Sequence, residues 1–167
     1  MIGSTRKLTF SALFIAIGTL AGHLIYIPIG VSKVFPVQHT INVLSAVFLG
    51  PGYGVFNAFA ISLLRNLFGT GSLLAFPGSM IGALLAGYLF KLTKRKLFAV
   101  FGEVFGTGII GALVSFPIAN LFLGQNVAAF FFIVPFLMST VCGSIIAYII
   151  VILLEKNRAI TKYLPMR

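Results

Sequence analysis

Between Leu97 and Leu123 a single charged side chain, Glu103, interrupts an otherwise apolar run. A stretch of that length is what a helix needs to cross the roughly 30 Å hydrocarbon core of a bilayer. Similar runs cover nearly the whole chain, separated by short breaks rich in Gly, Pro or basic residues. The composition agrees: only 8% of the 167 residues are charged and the mean hydropathy is +1.12, whereas soluble globular domains carry about 25% charged residues. Such a surface does not face water, and the runs leave no room for a soluble domain. The sequence therefore specifies an all-α membrane protein.

Six spans are expected, at 8–28, 37–49, 52–69, 73–90, 97–123 and 127–154, within one integral membrane domain over 1–167. The first is longer than a signal-peptide core and more spans follow, so it reads as a retained helix. The second reaches only about 20 Å at 1.5 Å per residue, so it is short or borrows from its flanks. Gly-Pro at 50–51, "GTGS" at 69–72 and "GQN" at 124–126 punctuate the runs.

A formal net charge of +10 invites a nucleic-acid reading, but position decides against it. Arg6 and Lys7 precede the first run, Lys91, Lys94, Arg95 and Lys96 occupy one break, and Lys156, Arg158, Lys162 and Arg167 follow the last. Such flanking clusters orient membrane helices, because Lys and Arg are retained on the cytoplasmic side. With six spans both termini and all three clusters fall inside; five or seven would split them.

That topology gives the polar residues a common depth. His23 ends the first span, Gln38, His39 and Asn42 open the second, Arg65 and Asn66 end the third, Asn120 closes the fifth, and Gln125 and Asn126 open the sixth. All fall in the outer half. Polar groups in membrane spans are costly and usually face an interior cavity, so a cluster at one depth marks a candidate site. Ser62, Arg65, Asn66 and Gly69 follow the spacing of one helix face, as do His39 and Asn42. Arg65 alone could instead snorkel to lipid headgroups; the neighbouring amides favour the cavity.

Other residues read as structural. Glu103 lies near the inner end of its span and is expected to pair locally with Lys94 to Lys96. Cys142 is the only cysteine and reads as a small filler. Two histidines and two glutamates lack ligand spacing, so no metal site is expected. "GTGS" lacks the Lys-Ser/Thr of a phosphate loop, which places any ATP hydrolysis outside this chain. Small residues four apart (Gly78, Gly82, Ala86; Ser139, Gly143, Ala147) mark close helix packing. Ala12 and Ala16, near the inner end of the first span, are placed for a cytoplasmic-side partner.

The segments "PVQHTINVLSAVFLGP" (36–51) and "LLRNLFGTGSLLAFPGSMIGALLAG" (63–87) closely resemble the ThiW family, membrane substrate-binding subunits of energy-coupling factor (ECF) vitamin transporters. The resemblance implies a subunit that captures hydroxyethylthiazole, a thiamine precursor, from outside. It also implies docking on a transmembrane coupling protein and two ATPases, with no cofactor of its own. Ala12 and Ala16 match the family's Ala-x-x-x-Ala docking pattern. His39, Asn42, Arg65 and Asn66 are the expected ligand-binding residues, with Gln38, His23 and Asn120 ranked second, and the 29–36 and 69–72 loops are placed as lids. A phosphorylated thiazole is also conceivable, with Arg65 meeting its phosphate. The alternatives are a self-sufficient secondary transporter or channel, and a non-transporting scaffold. The first would carry a mid-membrane carboxylate, and neither acid is read at that depth; the second would not need amides gathered at one level.

Overall fold

The computed structural model describes residues 4–29, 32–124 and 126–157, and these are almost wholly helical. Helix α1 (Ser4–Leu24) leads through a short antiparallel hairpin, β1 (Ile27–Ile29) and β2 (Ser32–Val34), into α2 (Pro36–Leu49). Then come α3 (Pro51–Leu67) and α4 (Ala75–Thr93). The fifth rod is composite: α5 (Lys96–Phe105), a π-helical segment Gly106–Gly111, and α6 (Ala112–Phe122). Helix α7 (Ile133–Lys156) completes the described bundle. The rods Thr5–Leu24, Ala75–Thr93, Lys96–Phe122 and Ile133–Lys156 are long and apolar enough to cross a membrane.

Local chemistry sets most boundaries. The α2–α3 turn is Gly50 alone, at φ 93, a left-handed backbone that glycine adopts without strain. Pro51 then sits at the first helical position, where its missing N–H costs nothing. Three boundaries differ from the sequence reading by more than three residues, one of them the start of the first helix, at Ser4 rather than 8. The first helix stops at Leu24 rather than 28, because the chain turns into the hairpin in which Pro28 pairs with Lys33. The last begins at Ile133 rather than 127, with Pro135 in its first turn and turns before it. The residues before Ile133 are as apolar as the helix, and hydropathy marks membrane depth, not backbone conformation.

Helix α2 is short because it is central. Twelve of its 14 residues are buried, and it packs against α1, α3, α4, α5 and α7. A helix sheathed by other helices need not match the bilayer thickness. Ile41, Val43, Leu44, Val47 and Phe48 form the main core with Phe14, Ile61, Ala147 and Val151. Lipid is as apolar as this core, so shape complementarity and interhelical hydrogen bonds decide the assembly. Small residues do that work as expected. At Gly143 of α7 a Cβ would strike the Pro36 carbonyl of α2, with His39 Cβ 2.7 Å away. A buried chain from Ser11 to Asn57 Oδ1, and from Asn57 Nδ2 to Ser45 Oγ at 3.0 Å, ties α1, α3 and α2.

One end of the bundle holds the Gly50 turn, the Lys94–Arg95 break and an ion pair between Lys96 and Glu155. At the other end the starts of α2, α4 and α7 meet the end of α3. Gln38 Nε2 donates to Ser62 Oγ at 3.0 Å, Ser62 Oγ lies 3.1 Å from Ser79 Oγ, and the Phe35 amide donates to Ser139 Oγ at 3.3 Å. Gln125 and the basic residues Arg158, Lys162 and Arg167 lie outside the described residues.

Candidate functional site

Where those helix ends converge they enclose a cavity of about 340 Å³, a size suited to one small molecule. Phe35, Gln38 and His39 line it from the start of α2, Arg65 from α3, and Thr70, Gly71 and Ser72 from the following turn. Leu74, just before α4, and Ala75, Gly78 and Ser79 of α4 add to the wall, α7 contributes Pro135, Phe136 and Ser139, and Thr107 of the π-helical segment reaches it from the bundle interior. A π-helical segment inside a longer helix often marks a functional site.

Arg65 is only 5% exposed. Its Nη1 donates to Gln38 Oε1 at 2.5 Å, its Nη2 donates to the Thr70 carbonyl at 3.1 Å, and its guanidinium lies 5.3 Å from the Phe35 ring centroid. Helix α1 comes close at Gly22, where a Cβ would lie 3.4 Å from Arg65 Cδ. Its Nε has no hydrogen-bond partner, and among the described residues no carboxylate pairs with it. The chain's two acids are engaged elsewhere, Glu155 by Lys96 and Glu103 by His39. The cavity wall therefore carries an uncompensated positive charge, held by neutral acceptors and an aromatic face.

Glu103 corrects the sequence reading. Far from pairing with Lys94 to Lys96, it is completely buried in the bundle, and its Oε1 lies 2.9 Å from His39 Nδ1. Asn42 Nδ2 and Thr107 Oγ1 donate to the same oxygen at 3.0 and 3.1 Å. The cause is the helix's phase: Glu103 and Thr107 stand one turn apart on the face toward α4, where Gly82 leaves room for both. The carboxylate thus lies well inside the span.

The predicted residues divide into two sets. Gln38, His39 and Arg65 line the cavity. Asn42 is fully buried behind it, donating also to the Ser79 carbonyl at 3.3 Å. Asn66 braces the turn after α3, donating to the Ser62 and Ser72 carbonyls at 2.8 and 3.1 Å. Asn120 accepts from the Val127 amide at 3.2 Å and shapes the α6–α7 connection. His23 belongs to α1 and is not among the lining residues; its Nδ1 is buried without a hydrogen-bond partner. Sequence reasoning missed Phe35, Thr107, Phe136 and Ser139, which carry no rare side chain among many similar ones. The rarity of Glu103 was the signal that could have drawn it into the site.

A helical bundle with membrane-length apolar rods and a polar pocket at one end is the build of a membrane protein that handles a small molecule. The chain belongs to the ThiW family, described as thiamine-precursor transporter protein, whose model matches residues 8–157. It is thus a transport protein, not an enzyme. No curated protein matches the chain.

Proposed function

We propose that the chain is the substrate-capture subunit of an ATP-driven ECF-type uptake system in the cell membrane, and that the cavity binds hydroxyethylthiazole from outside. In this reading all six rods cross the bilayer, both termini are cytoplasmic, and the cavity end faces outward. The observation that carries it is the pocket itself, whose exposed wall is mostly apolar and contains Phe35 and Phe136, while Arg65, His39 and Ser139 are among the residues that bring hydrogen-bonding groups to it. An apolar cavity with few convergent polar groups is the usual recipe for a small heterocycle. The ring stacks on the aromatic faces, while the hydroxyl meets Arg65 or Ser139. Gln38 holds Arg65, and Asn42 and Asn66 support the wall and its turn rather than touching ligand.

ATP is consumed by two separate ATPase subunits acting through a coupling protein. Ala12 and Ala16, both on the exposed face of α1, meet that coupling protein. The test is ligand-dependent thermal stabilisation of the purified chain in detergent with hydroxyethylthiazole, its phosphate, thiamine and the pyrimidine half. Binding to the folded state alone must raise stability; a shift with the thiazole supports the reading, and a shift with none sinks it. Buried Glu103 also suits a self-sufficient, proton-coupled transporter. Nucleotide-independent uptake by vesicles holding this chain alone would favour that second reading.

A further inference from the structure

The first two turns of three helices supply most of the cavity wall: Gln38 and His39 from α2, Gly78 and Ser79 from α4, Pro135 and Ser139 from α7. All three are full helices, the shortest of 14 residues. Each brings the positive end of its dipole, worth roughly half an elementary charge, together with backbone N–H groups that the helix itself cannot satisfy. None of the three has an acidic residue in its first turn or a side-chain cap, so nothing in those turns offsets the field. Helix α3 presents its opposite, negative end, but there Arg65 stands in the last turn and donates to the Thr70 carbonyl.

Arg65 is a second and independent sign of the same preference. It lines the cavity, is 5% exposed, and its Nε has no hydrogen-bond partner. Of its five N–H donors, one meets Gln38 Oε1 and another the Thr70 carbonyl, both uncharged. The chain has two acids. Glu155 pairs with Lys96 at the far end of the bundle, and Glu103 stands behind the wall without lining it, its Oε1 already holding His39, Asn42 and Thr107. A buried charge without a counter-charge is strongly unfavourable, and the alcohol of hydroxyethylthiazole accepts a bond without balancing it. An oxyanion balances it, and can meet two guanidinium N–H groups at once.

From these two observations we infer that the pocket takes the thiazole with an oxyanion on its side arm, a phosphate monoester or a carboxylate, in preference to the neutral alcohol. The arm reaches Arg65, which makes the charge-assisted contact, and the three helix starts supply the positive field around it. The ring keeps Phe35 and Phe136 as its apolar faces. The inference rests on the thiazole-capture reading above and changes only the form of the ligand.

The test titrates 4-methyl-5-(2-hydroxyethyl)thiazole, its phosphate ester, its uncharged acetate ester and 4-methylthiazole-5-acetic acid calorimetrically into the full-length chain in detergent, with inorganic phosphate as the ring-free control. The better of the two anions should bind about 10- to 100-fold more tightly than the alcohol, the range expected for hydrogen bonds to charged groups, and its identity says which oxyanion the site takes. The acetate ester, which adds bulk without charge, should gain nothing. In Arg65→Gln the preference for the anion should vanish. A purely structural role for Arg65 would weaken every ligand by the same factor and keep the preference, which overturns the inference. If that variant does not fold, the comparison of charged and uncharged esters on the unaltered chain still decides. Alcohol binding as tightly as both anions overturns the inference and leaves the capture function standing. Inorganic phosphate binding as tightly as the phosphate ester overturns it too, since the site would then read the anion and not the thiazole. Binding of none of the ligands overturns both readings.

Discussion

Gln38 clamps Arg65 from a neighbouring helix: its Oε1 accepts from Nη1 at 2.5 Å while its Nε2 donates to Ser62 Oγ at 3.0 Å. Both side chains are buried. The amide therefore orients a guanidinium that has no carboxylate partner, and links α2 to α3 at the mouth of the cavity. Gln38→Leu keeps the volume and removes both bonds. Leaving a buried polar group unsatisfied costs about 1–3 kcal/mol. The variant should melt earlier in detergent and bind hydroxyethylthiazole more weakly, because Arg65 loses its direction. A variant with unchanged affinity would show that Arg65 does not depend on this clamp.

Asn42 and Asn66 support the cavity from different depths, so their loss should differ in kind. Asn42 is fully buried and bonds Glu103 Oε1 and the Ser79 carbonyl, while Asn66 is half-buried and braces the 69–72 turn. Asn42→Ala should lower thermal stability by about 1–3 kcal/mol and weaken ligand binding. Asn66→Ala should barely change stability but weaken binding by loosening the turn. Unchanged affinity in both would remove these residues from any role in the pocket.

Asn57 provides a contrast away from the cavity. It joins Ser11 of α1 and Ser45 of α2, and is fully buried. Asn57→Leu should cost about 1–2 kcal/mol of stability, since both serines lose their partner. The affinity for hydroxyethylthiazole should stay as it is. A changed affinity would mean that the inner half of the bundle is coupled to the pocket.

Gly143 tests the packing of α7 on α2. A Cβ there would collide with the Pro36 carbonyl, lie 2.7 Å from His39 Cβ and 3.0 Å from the Thr40 amide. Two of those neighbours are backbone, so the helices must separate. Overpacking of this kind typically costs about 1–3 kcal/mol. Gly143→Ala should destabilise the chain and weaken ligand binding by displacing His39, as thermal melts and titration would show. An unaltered melt would mean that α7 shifts freely along α2.

Most of the helical rods were legible because membrane burial writes itself into hydropathy. The α2 and α3 boundaries fall within two residues of those expected. What hydropathy does not encode is where an apolar backbone stops being helical, so the hairpin at Ile27–Val34 and the late start at Ile133 were missed. The cavity was legible through side chains that are expensive in lipid: Arg65, Gln38 and His39 cluster because nothing else would tolerate them. The same cost argument applied to Glu103, but its sequence distance from Lys94 to Lys96 suggested a local partner. Only the three-dimensional phase of α5 against α4 turns it toward His39 instead. Asn66 and Asn120 have amides that satisfy nearby backbone, a use that spacing does not distinguish from ligand binding.

In the proposed function, the exposed face of α1 is what separates capture from transport. Ala12 and Ala16 stand on it with Leu13, Ile17 and Leu20, pointing away from the bundle, whereas Phe14, Gly18 and Thr19 face inward. A small-residue face lets another helix approach closely, and a bulky side chain there blocks the approach without disturbing the bundle's interior. Ala12→Trp and Ala16→Trp should therefore keep the thermal shift with hydroxyethylthiazole, because the cavity lies at the opposite end from Ala12. They should abolish ATP-dependent uptake in vesicles that also contain the coupling protein and ATPases. Loss of ligand binding would mean that α1 shapes the pocket, through its contact with Arg65 at Gly22. Full uptake with ligand binding intact would mean that the coupling protein docks on some other face.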